Sequence, residues 1–576
     1  MDHNLANALE KAGTWDTAFF DQSTREEVRE LIRLKGENLV DSFCSDLEFG
    51  TGGLRGKRGV GTNRINKYTI GMATQGLCNY LLKSNTDTPL KFAIAYDSRH
   101  QSPELAMITA EVCAANGIQV FLFNELRPTP ELSYAIRTLK CSGGVMVTAS
   151  HNPPEYNGYK AFWSDGAQVV APHDQGIIAE VRKIQQIDEV KWTGNSHLIQ
   201  NMPAEMDDLF IEKSLEQCLS RNEPTMDFSM PIVYTALHGT GATLIPNVLS
   251  KYGFTNTFVV KEQHAPDGNF STVKSPNPEE AEALKMALAL AEKVNANLVL
   301  GTDPDADRVG VAARDNQGNL RLLNGNETGA LLVDYVLSRK DEAGLLKDND
   351  FIVSTVVTSE LIREIAQYYG VKDFVTLTGF KHIASVIGEL EGKERFLVGG
   401  EESYGYMIGD FVRDKDAVTS CLIIAEMAAW HHSQGKTLYD QLELIHSRHQ
   451  AYLEHLISIK KEGISGQKAI QDMMHNLRSN PPKSIAGSDL IYIDDLKTGV
   501  RKQLISGQEM KLDIPKSNVI QMHLSDGSKI SARPSGTEPK IKFYISVQEK
   551  VEGSYELLME KLSDRIAAIA VELNVN

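Results

Sequence analysis

Short apolar runs alternate with amphipathic stretches along most of the chain. The alternation is clearest near the start, in the segments Lys91–Asp97, Ser102–Ala115, Gly117–Phe123 and Gly144–Val147. The second of these has helical spacing and a proline in its first turn, and the others have the length and apolar character of buried strands. The pattern recurs around Pro231–Leu237 and around Phe351–Val357. Strands that alternate with helices predict parallel, helix-covered sheets, that is, a series of α/β units.

The last part of the chain has a different pattern. Val519–Leu524 and Lys529–Ala532 flank the turn residues Asp526 and Gly527, which predicts a β-hairpin. Ile541–Val547 adds a further strand, and residues 554–573 form an amphipathic helix. This segment is predicted to be an α+β domain.

The chain length predicts how many domains the protein has. At 576 residues it is too long for one core, and about 150 residues per domain suggests four domains. The predicted domains span residues 1–205, 206–325, 326–450 and 451–576. No strong sequence repeat links the first three.

Composition narrows the class of protein. The net charge is −17, with 76 acidic and 59 basic residues, which argues against nucleic acid or an anionic membrane as a partner. The six cysteines form no CxxC pair, which is typical of reduced thiols. The N-terminal residues lack a signal-peptide core, and no run approaches the roughly 18 apolar residues of a membrane span. We expect a soluble, cytoplasmic protein.

A polar loop follows the apolar run that ends at Val147. Its sequence is TASHNPP, in which Ser150 and His151 lie between small residues and two prolines. Nucleophilic attack by serine on a carbonyl would need a base and an oxyanion hole. Adjacent side chains of an extended chain point to opposite faces, so His151 is predicted to be poorly placed as the partner of Ser150. No GxSxG motif is present either.

A second loop carries three carboxylates at alternate positions. Asp303, Asp305 and Asp307 directly follow an apolar strand, and such hard oxygen ligands suit Mg²⁺ or Ca²⁺. An EF-hand is excluded because Arg308 stands where glycine is needed and Arg314 where the bidentate glutamate belongs. A solvated acidic turn remains an alternative.

Four further loops offer groups for a phosphorylated sugar. Glu401 and Glu402 lie in a glycine-rich loop that could bind sugar hydroxyls or be a surface turn. The segment 531–540, SARPSGTEPK, offers Arg533 and small donors to a phosphate, although a plain turn would also use Pro-Ser-Gly. Arg55 in a glycine cluster and Lys381 after an apparent strand are weaker signals. A serine, an acidic triad and a phosphate-binding arginine together favour phosphoryl transfer.

These loops together resemble the α-D-phosphohexomutase superfamily of phosphoglucomutases and phosphomannomutases. The motifs TASHNP, GTDPDADR, GEES and RPSGTEPK occur in the family's order over nearly the whole chain. The FGTGGLRG start and the GEESYGY variant look most like the phosphoglucomutase-2/phosphopentomutase branch. The resemblance implies three similar mixed α/β domains and a C-terminal α+β domain of TBP-like fold around a central cleft.

The resemblance also implies a role for each matching residue. Ser150 is the phosphoserine and, with the three aspartates, a ligand of one Mg²⁺. His151, Lys381 and Arg55 are the other catalytic residues, and the first two are candidates for proton transfer. The implied substrate-binding residues are Lys160, Arg308, Thr378, Gly379, Glu401, Ser403, Arg533, Ser535, Gly536 and Thr537.

The implied activity is an isomerase reaction of carbohydrate metabolism. A phosphoserine enzyme would interconvert glucose 1-phosphate and glucose 6-phosphate through glucose 1,6-bisphosphate, which is both intermediate and activator. Phosphomannomutase, phosphopentomutase and glucose-1,6-bisphosphate synthase remain alternatives, as does a non-catalytic sugar-phosphate binder. The expected partners are sugar phosphates alone, and the expected state is a monomer or weak dimer.

Overall fold

The computed structural model describes residues 2–50, 52–85, 89–461, 463–535 and 540–575. The chain starts with three helices, α1 (Asp2–Thr14), α2 (Gln22–Leu34) and α3 (Glu37–Phe43). They enclose a small aromatic core in which the Trp15 ring stacks on Phe20 and meets Tyr68 edge-on. This core fixes the N-terminal helices to the first α/β unit.

The first unit is a six-stranded sheet in the order β1-β5-β4-β2-β3-β6. Its strands are β1 (Gly53–Lys57), β2 (Lys91–Tyr96), β3 (Gln119–Leu122), β4 (Gly143–Val147), β5 (Tyr156–Trp163) and β6 (Ile199–Asn201). Its helices are α4 (Lys67–Ser84), α5 (Ser102–Ala115), α6 (Thr129–Thr138) and α7 (His173–Val181). The strands β2, β3, β4 and β6 are parallel, whereas β5 runs antiparallel to β4, and β1 antiparallel to β5.

The second unit is a five-stranded sheet in the order β11-β10-β9-β7-β8. In chain order it comprises α8 (Met206–Leu215), β7 (Ile232–Thr235), α9 (Gly241–Tyr252), β8 (Thr257–Val259), α10 (Lys285–Val294), β9 (Leu298–Thr302), β10 (Val309–Arg314) and β11 (Leu320–Leu323). The acidic loop connects β9 to its antiparallel neighbour β10.

The third unit has four strands in the order β13-β12-β14-β15. It comprises α11 (Gly325–Glu342), β12 (Asp350–Thr355), α12 (Leu361–Tyr368), β13 (Lys372–Thr376), α13 (Phe380–Leu390), β14 (Arg395–Glu401), β15 (Gly405–Ile408), α14 (Ala417–Ser433) and α15 (Leu438–Arg448). Buried side chains of the three units form one continuous apolar core.

The C-terminal unit is an antiparallel sheet in the order β16-β23-β22-β21-β18-β19-β20, with β17 beside β18. It comprises β16 (Ala451–Lys460), α16 (Gly463–Ser479), β17 (Ser484–Ile485), β18 (Ser488–Asp495), β19 (Val500–Gln503), β20 (Glu509–Lys511), β21 (Ile520–Leu524), β22 (Lys529–Pro534), β23 (Lys540–Glu549) and α17 (Tyr555–Glu572). The predicted hairpin is β21–β22, with Met522 opposite Ile530.

The predicted fold class, three mixed α/β units followed by a C-terminal α+β unit, is confirmed. The domain boundaries near residues 205, 325 and 450 stay predictions. Among the described residues, no helix is both long enough and apolar enough to cross a bilayer. The loops after β4, β9, β14 and β22 open towards one cleft of about 770 Å³, which the four units share.

Candidate active site

Ser150 sits on the floor of the cleft in a left-handed backbone conformation, with φ of +53°. Thr148 holds this turn, because its hydroxyl accepts from the Ser150 N–H at 2.9 Å and donates to Asp97 at 2.6 Å. The Ser150 Oγ is 3.0 Å from Asp303 Oδ2 and 3.2 Å from His151 Nδ1. The expectation that His151 points away from Ser150 is therefore wrong, since the chain is not extended at this residue.

Arg99 lies directly beneath the serine loop and was missed in the sequence. Its buried guanidinium pairs with Asp97 at 3.1 Å and stacks on the ring of Phe270. It also donates to four loop carbonyls, those of Ser150, Asn152, Pro153 and Tyr156. The sequence offered one signal for Arg99: Asp-Ser-Arg directly follows β2. Because β2 pairs in parallel with β4, its end lies beside the start of the Ser150 loop.

The three aspartates of the acidic loop converge as predicted. Their ligand atoms lie within 4.8 Å of one another, and all three side chains are buried. Asp303 Oδ1 accepts the N–H groups of Asp307 and Arg308, both at 3.1 Å. Among the described residues, the Oδ1 atoms of Asp305 and Asp307 have no hydrogen-bond partner. Buried carboxylate oxygens without a donor fit a hard divalent cation such as Mg²⁺.

Two lysines offset part of the negative charge of this triad. Lys160 Nζ lies 2.6 Å from Asp305 and 3.0 Å from Asp307, and Lys415 Nζ lies 3.2 Å from Asp307. Burial and the other two aspartates raise the pKa of Asp303. At Asp307 burial also acts to raise the pKa, but the charges of Lys160, Lys415 and Arg308 together outweigh it, so that this pKa is lowered. Lys160, predicted to bind substrate, thus contacts the acidic loop. Lys415 was missed because nothing near it in the sequence marks it as part of a site.

The residues predicted to bind sugar line the wall formed by the third unit. The Gly379 N–H donates to Glu401 Oε1 at 2.7 Å, so the loops after β13 and β14 are joined. Arg308 donates to the Ser403 carbonyl at 3.0 Å and pairs with Glu279, which was missed in the sequence. The predicted residue Thr378 also lines this wall.

The C-terminal unit closes the cleft with basic side chains. Arg533 lines it, together with three residues of β23: Lys540, the last residue of the predicted phosphate loop, and Lys542 and Tyr544, which were missed in the sequence. The Ser535 N–H donates to the Lys540 carbonyl at 2.7 Å, but Ser535 does not line the cleft. The predicted residues Gly536 and Thr537 lie outside the described residues.

The remaining predicted catalytic residues also line the cleft. Arg55 reaches it from β1 and Lys381 from the first turn of α13. Burial lowers the pKa of Lys381, and burial together with the guanidinium groups of Arg308 and Arg55 lowers the pKa of His151. Among the described residues, eight lysine and arginine side chains line this cleft, which therefore suits an anion with more than one charge.

Three segments of the chain match successive domains of one family. The matches are to "Phosphoglucomutase/phosphomannomutase, alpha/beta/alpha" domain I over residues 46–188, domain II over 208–318 and domain III over 324–447. The chain belongs to the phosphoglucomutase/phosphomannomutase family. The resemblance inferred from the motifs is thereby confirmed, and membership makes the chain an enzyme, a phosphotransferase of the isomerase class.

Similar proteins extend this match over almost the full length. A phosphoglucomutase of Staphylococcus haemolyticus is 39% identical over 90% of this chain and 95% of its own. One of Staphylococcus epidermidis is 36% identical over 98% of this chain and 100% of its own. A crystal structure of a Thermus thermophilus protein described as a "putative phosphomannomutase" shares the fold, with a TM-score of 0.68 at 21% identity over 92% of this chain and 98% of that one.

Proposed function

We propose that this member of the family is a phosphohexomutase that interconverts glucose 1-phosphate and glucose 6-phosphate. Ser150 would carry the transferable phosphoryl group, and glucose 1,6-bisphosphate would be the intermediate. The observation that supports this most is the position of the Ser150 Oγ, 3.0 Å from an acidic triad and inside a cleft lined by basic groups. The phosphoglucomutase names of the similar proteins favour glucose over other sugars.

The first transfer moves a phosphoryl group from Ser150 to a sugar hydroxyl. The bond between phosphorus and the serine oxygen breaks, and a bond between phosphorus and the sugar oxygen forms. The serine oxygen takes up one proton as the sugar hydroxyl loses one, and His151 Nδ1 lies within hydrogen-bonding distance of the Ser150 Oγ, at 3.2 Å. Lys381 accepts the proton of the attacking hydroxyl, since burial lowers the pKa of its ammonium and raises the fraction of neutral amine.

The acidic triad has a supporting role in this reaction. Asp303, Asp305 and Asp307 would hold one Mg²⁺, which when bound polarises the phosphoryl group and offsets negative charge. Without compensation, three buried aspartates beside a phosphoserine would repel it, because phosphoserine carries about −1.5 to −2 charge. Lys160 and Lys415 supply part of that compensation from the protein itself.

The other end of the substrate is held by different residues. Arg533 binds the phosphate that does not react, since its guanidinium can donate two parallel hydrogen bonds. Glu401 and Ser403 bind sugar hydroxyls. Ser535, Gly536 and Thr537, which the sequence assigns to the same phosphate as Arg533, stay predicted members of this clamp. The bisphosphate then turns over, so that its second phosphoryl group returns to Ser150 and the isomer leaves.

A coupled assay tests this function. The purified chain is given the 1-phosphates of glucose, mannose, ribose and deoxyribose, each with Mg²⁺ and a catalytic amount of the corresponding bisphosphate. We expect the highest kcat/KM with glucose 1-phosphate. A higher kcat/KM with mannose 1-phosphate or a pentose 1-phosphate would contradict the assignment of glucose as the substrate, but it would leave the phosphoserine mechanism in place. No turnover of any of the four would contradict the proposal.

A further inference from the structure

Three helices, each from a different unit, begin against the acidic loop. Three consecutive loop carbonyls accept from the N-terminal backbone N–H groups of α9, α6 and α14: Thr240 N–H to Pro304 O at 2.8 Å, Thr129 N–H to Asp305 O at 2.9 Å and Ala417 N–H to Ala306 O at 3.2 Å. The loop belongs to the second unit by sequence, yet the first and third units hold it as well. The positive ends of three helix dipoles therefore lie against the acidic loop.

One of these three contacts includes a side chain. The Thr129 hydroxyl donates to Asp305 Oδ2 at 2.7 Å, and both residues are fully buried. Lys160 Nζ approaches the same oxygen at 2.6 Å. The two donors occupy Oδ2, and Oδ1 of Asp305 remains as the oxygen available to a cation.

The hydroxyl of Thr129 is not needed to start α6. The residue before it, Pro128, is the N-cap and makes no side-chain hydrogen bond to the helix. Thr129 is the first residue of the helix, and the hydrogen bond found for its hydroxyl runs to Asp305, 176 residues away in the sequence. A valine would fill nearly the same space and would lack only this hydrogen bond.

We propose that Thr129 is a positioning residue for the metal ligand Asp305. Thr129 belongs to the first unit, and the loop that carries Asp305 belongs to the second. This inference rests on the proposed function, in which the triad binds Mg²⁺. By fixing Oδ2, Thr129 sets the rotamer that presents Oδ1 to the ion. Partners that orient metal ligands typically contribute about 10- to 100-fold to metal affinity.

Mg²⁺ binding is measured by calorimetry on the full chain, with Ser150 unphosphorylated, for the wild type and three variants. Thr129→Val is expected to raise the Kd for Mg²⁺ about 10- to 100-fold. Thr129→Ser keeps the hydroxyl, so its Kd should stay close to that of the wild type. The matched control is Thr109→Val in α5, because Thr109 is equally buried and its hydroxyl donates to the Leu105 carbonyl in its own helix. Its Kd should not change.

Turnover provides a second readout. If Thr129 acts through Asp305, kcat of Thr129→Val at saturating Mg²⁺ should recover most of the wild-type value, whereas the Mg²⁺ concentration for half activity rises. A Kd for Thr129→Val equal to that of the wild type would overturn the positioning role. Absence of Mg²⁺ binding by the wild type would instead contradict the metal site of the proposed function. If Thr129→Val does not fold, Thr129→Ala carries the same expectations.

Discussion

Replacing Arg99 by lysine removes most of the support beneath the Ser150 loop and keeps a positive charge beside Asp97. The guanidinium donates to four loop carbonyls and also pairs with Asp97. A lysine ammonium is a point charge without the planar fork, so it can keep the ion pair and about one of the carbonyls.

The expected loss follows from these contacts. About three hydrogen bonds at a net of about 1 kcal/mol each, plus the stacking of Arg99 on Phe270, amount to roughly 3–4 kcal/mol. For a domain of 150–250 residues this lowers the melting temperature by roughly 5–15 °C. Because a misplacement of about 1 Å costs about 100-fold in rate, kcat should fall by about that factor. KM should change little, since Arg533 and Glu401 are not affected.

The assay combines thermal unfolding with steady-state kinetics on glucose 1-phosphate. The control is Arg395→Lys, because Arg395 also makes a close ion pair, with Asp350 at 2.6 Å, but lies on β14 away from the cleft. The control should lose stability and keep its kcat at temperatures where it is folded. A wild-type kcat in folded Arg99→Lys would refute the claim that Arg99 positions Ser150.

Three further changes probe other parts of the site. Ser150→Ala should abolish turnover with little change in melting temperature, and any retained mutase activity would rule out the phosphoserine. Arg533→Ala should raise KM roughly 10- to 100-fold with a smaller effect on kcat, because a hydrogen bond to a charged group contributes about 1.5–3 kcal/mol. An unchanged KM would show that Arg533 does not bind the phosphate that does not react. Burial, and then the charge of Glu401, raises the pKa of Glu402 to about 7 from its ordinary 4.5. The folded chain therefore holds this proton more tightly than the unfolded chain, and stability falls as pH rises from about 4.5 to 7. Glu402→Gln should gain melting temperature relative to the wild type between pH 5 and pH 8, and a constant difference would contradict the shifted pKa.

The strands and the loops after them could be predicted from the sequence. Apolar runs of strand length that end in Gly, Pro, Ser or Asp are local signals, and the predicted strand at Lys91–Asp97 matches β2, Lys91–Tyr96. The antiparallel direction of β5 and β10 within the mixed sheets could not be predicted, because buried strands of either direction have the same apolar pattern.

The contacts that shape the site depend on the tertiary fold. Lys160 and Asp305 are 145 residues apart in the sequence, and no local pattern marks them as partners. Lys415 was missed for the same reason, whereas Arg99 had only the Asp-Ser-Arg sequence after β2 as a signal. The pairing of Ser150 with His151 depends on one left-handed residue, and a prediction that assumed extended backbone placed the two side chains on opposite faces.

The most direct test of the account follows one phosphoryl group on the protein. The chain is incubated with glucose 1,6-bisphosphate and Mg²⁺, freed of ligand and analysed by intact and tandem mass spectrometry. We predict one added phosphoryl group, located on Ser150, and its loss when glucose 6-phosphate is added, with formation of an equal amount of bisphosphate. A chain that gains no phosphate, or gains it at another residue, would contradict the central claim.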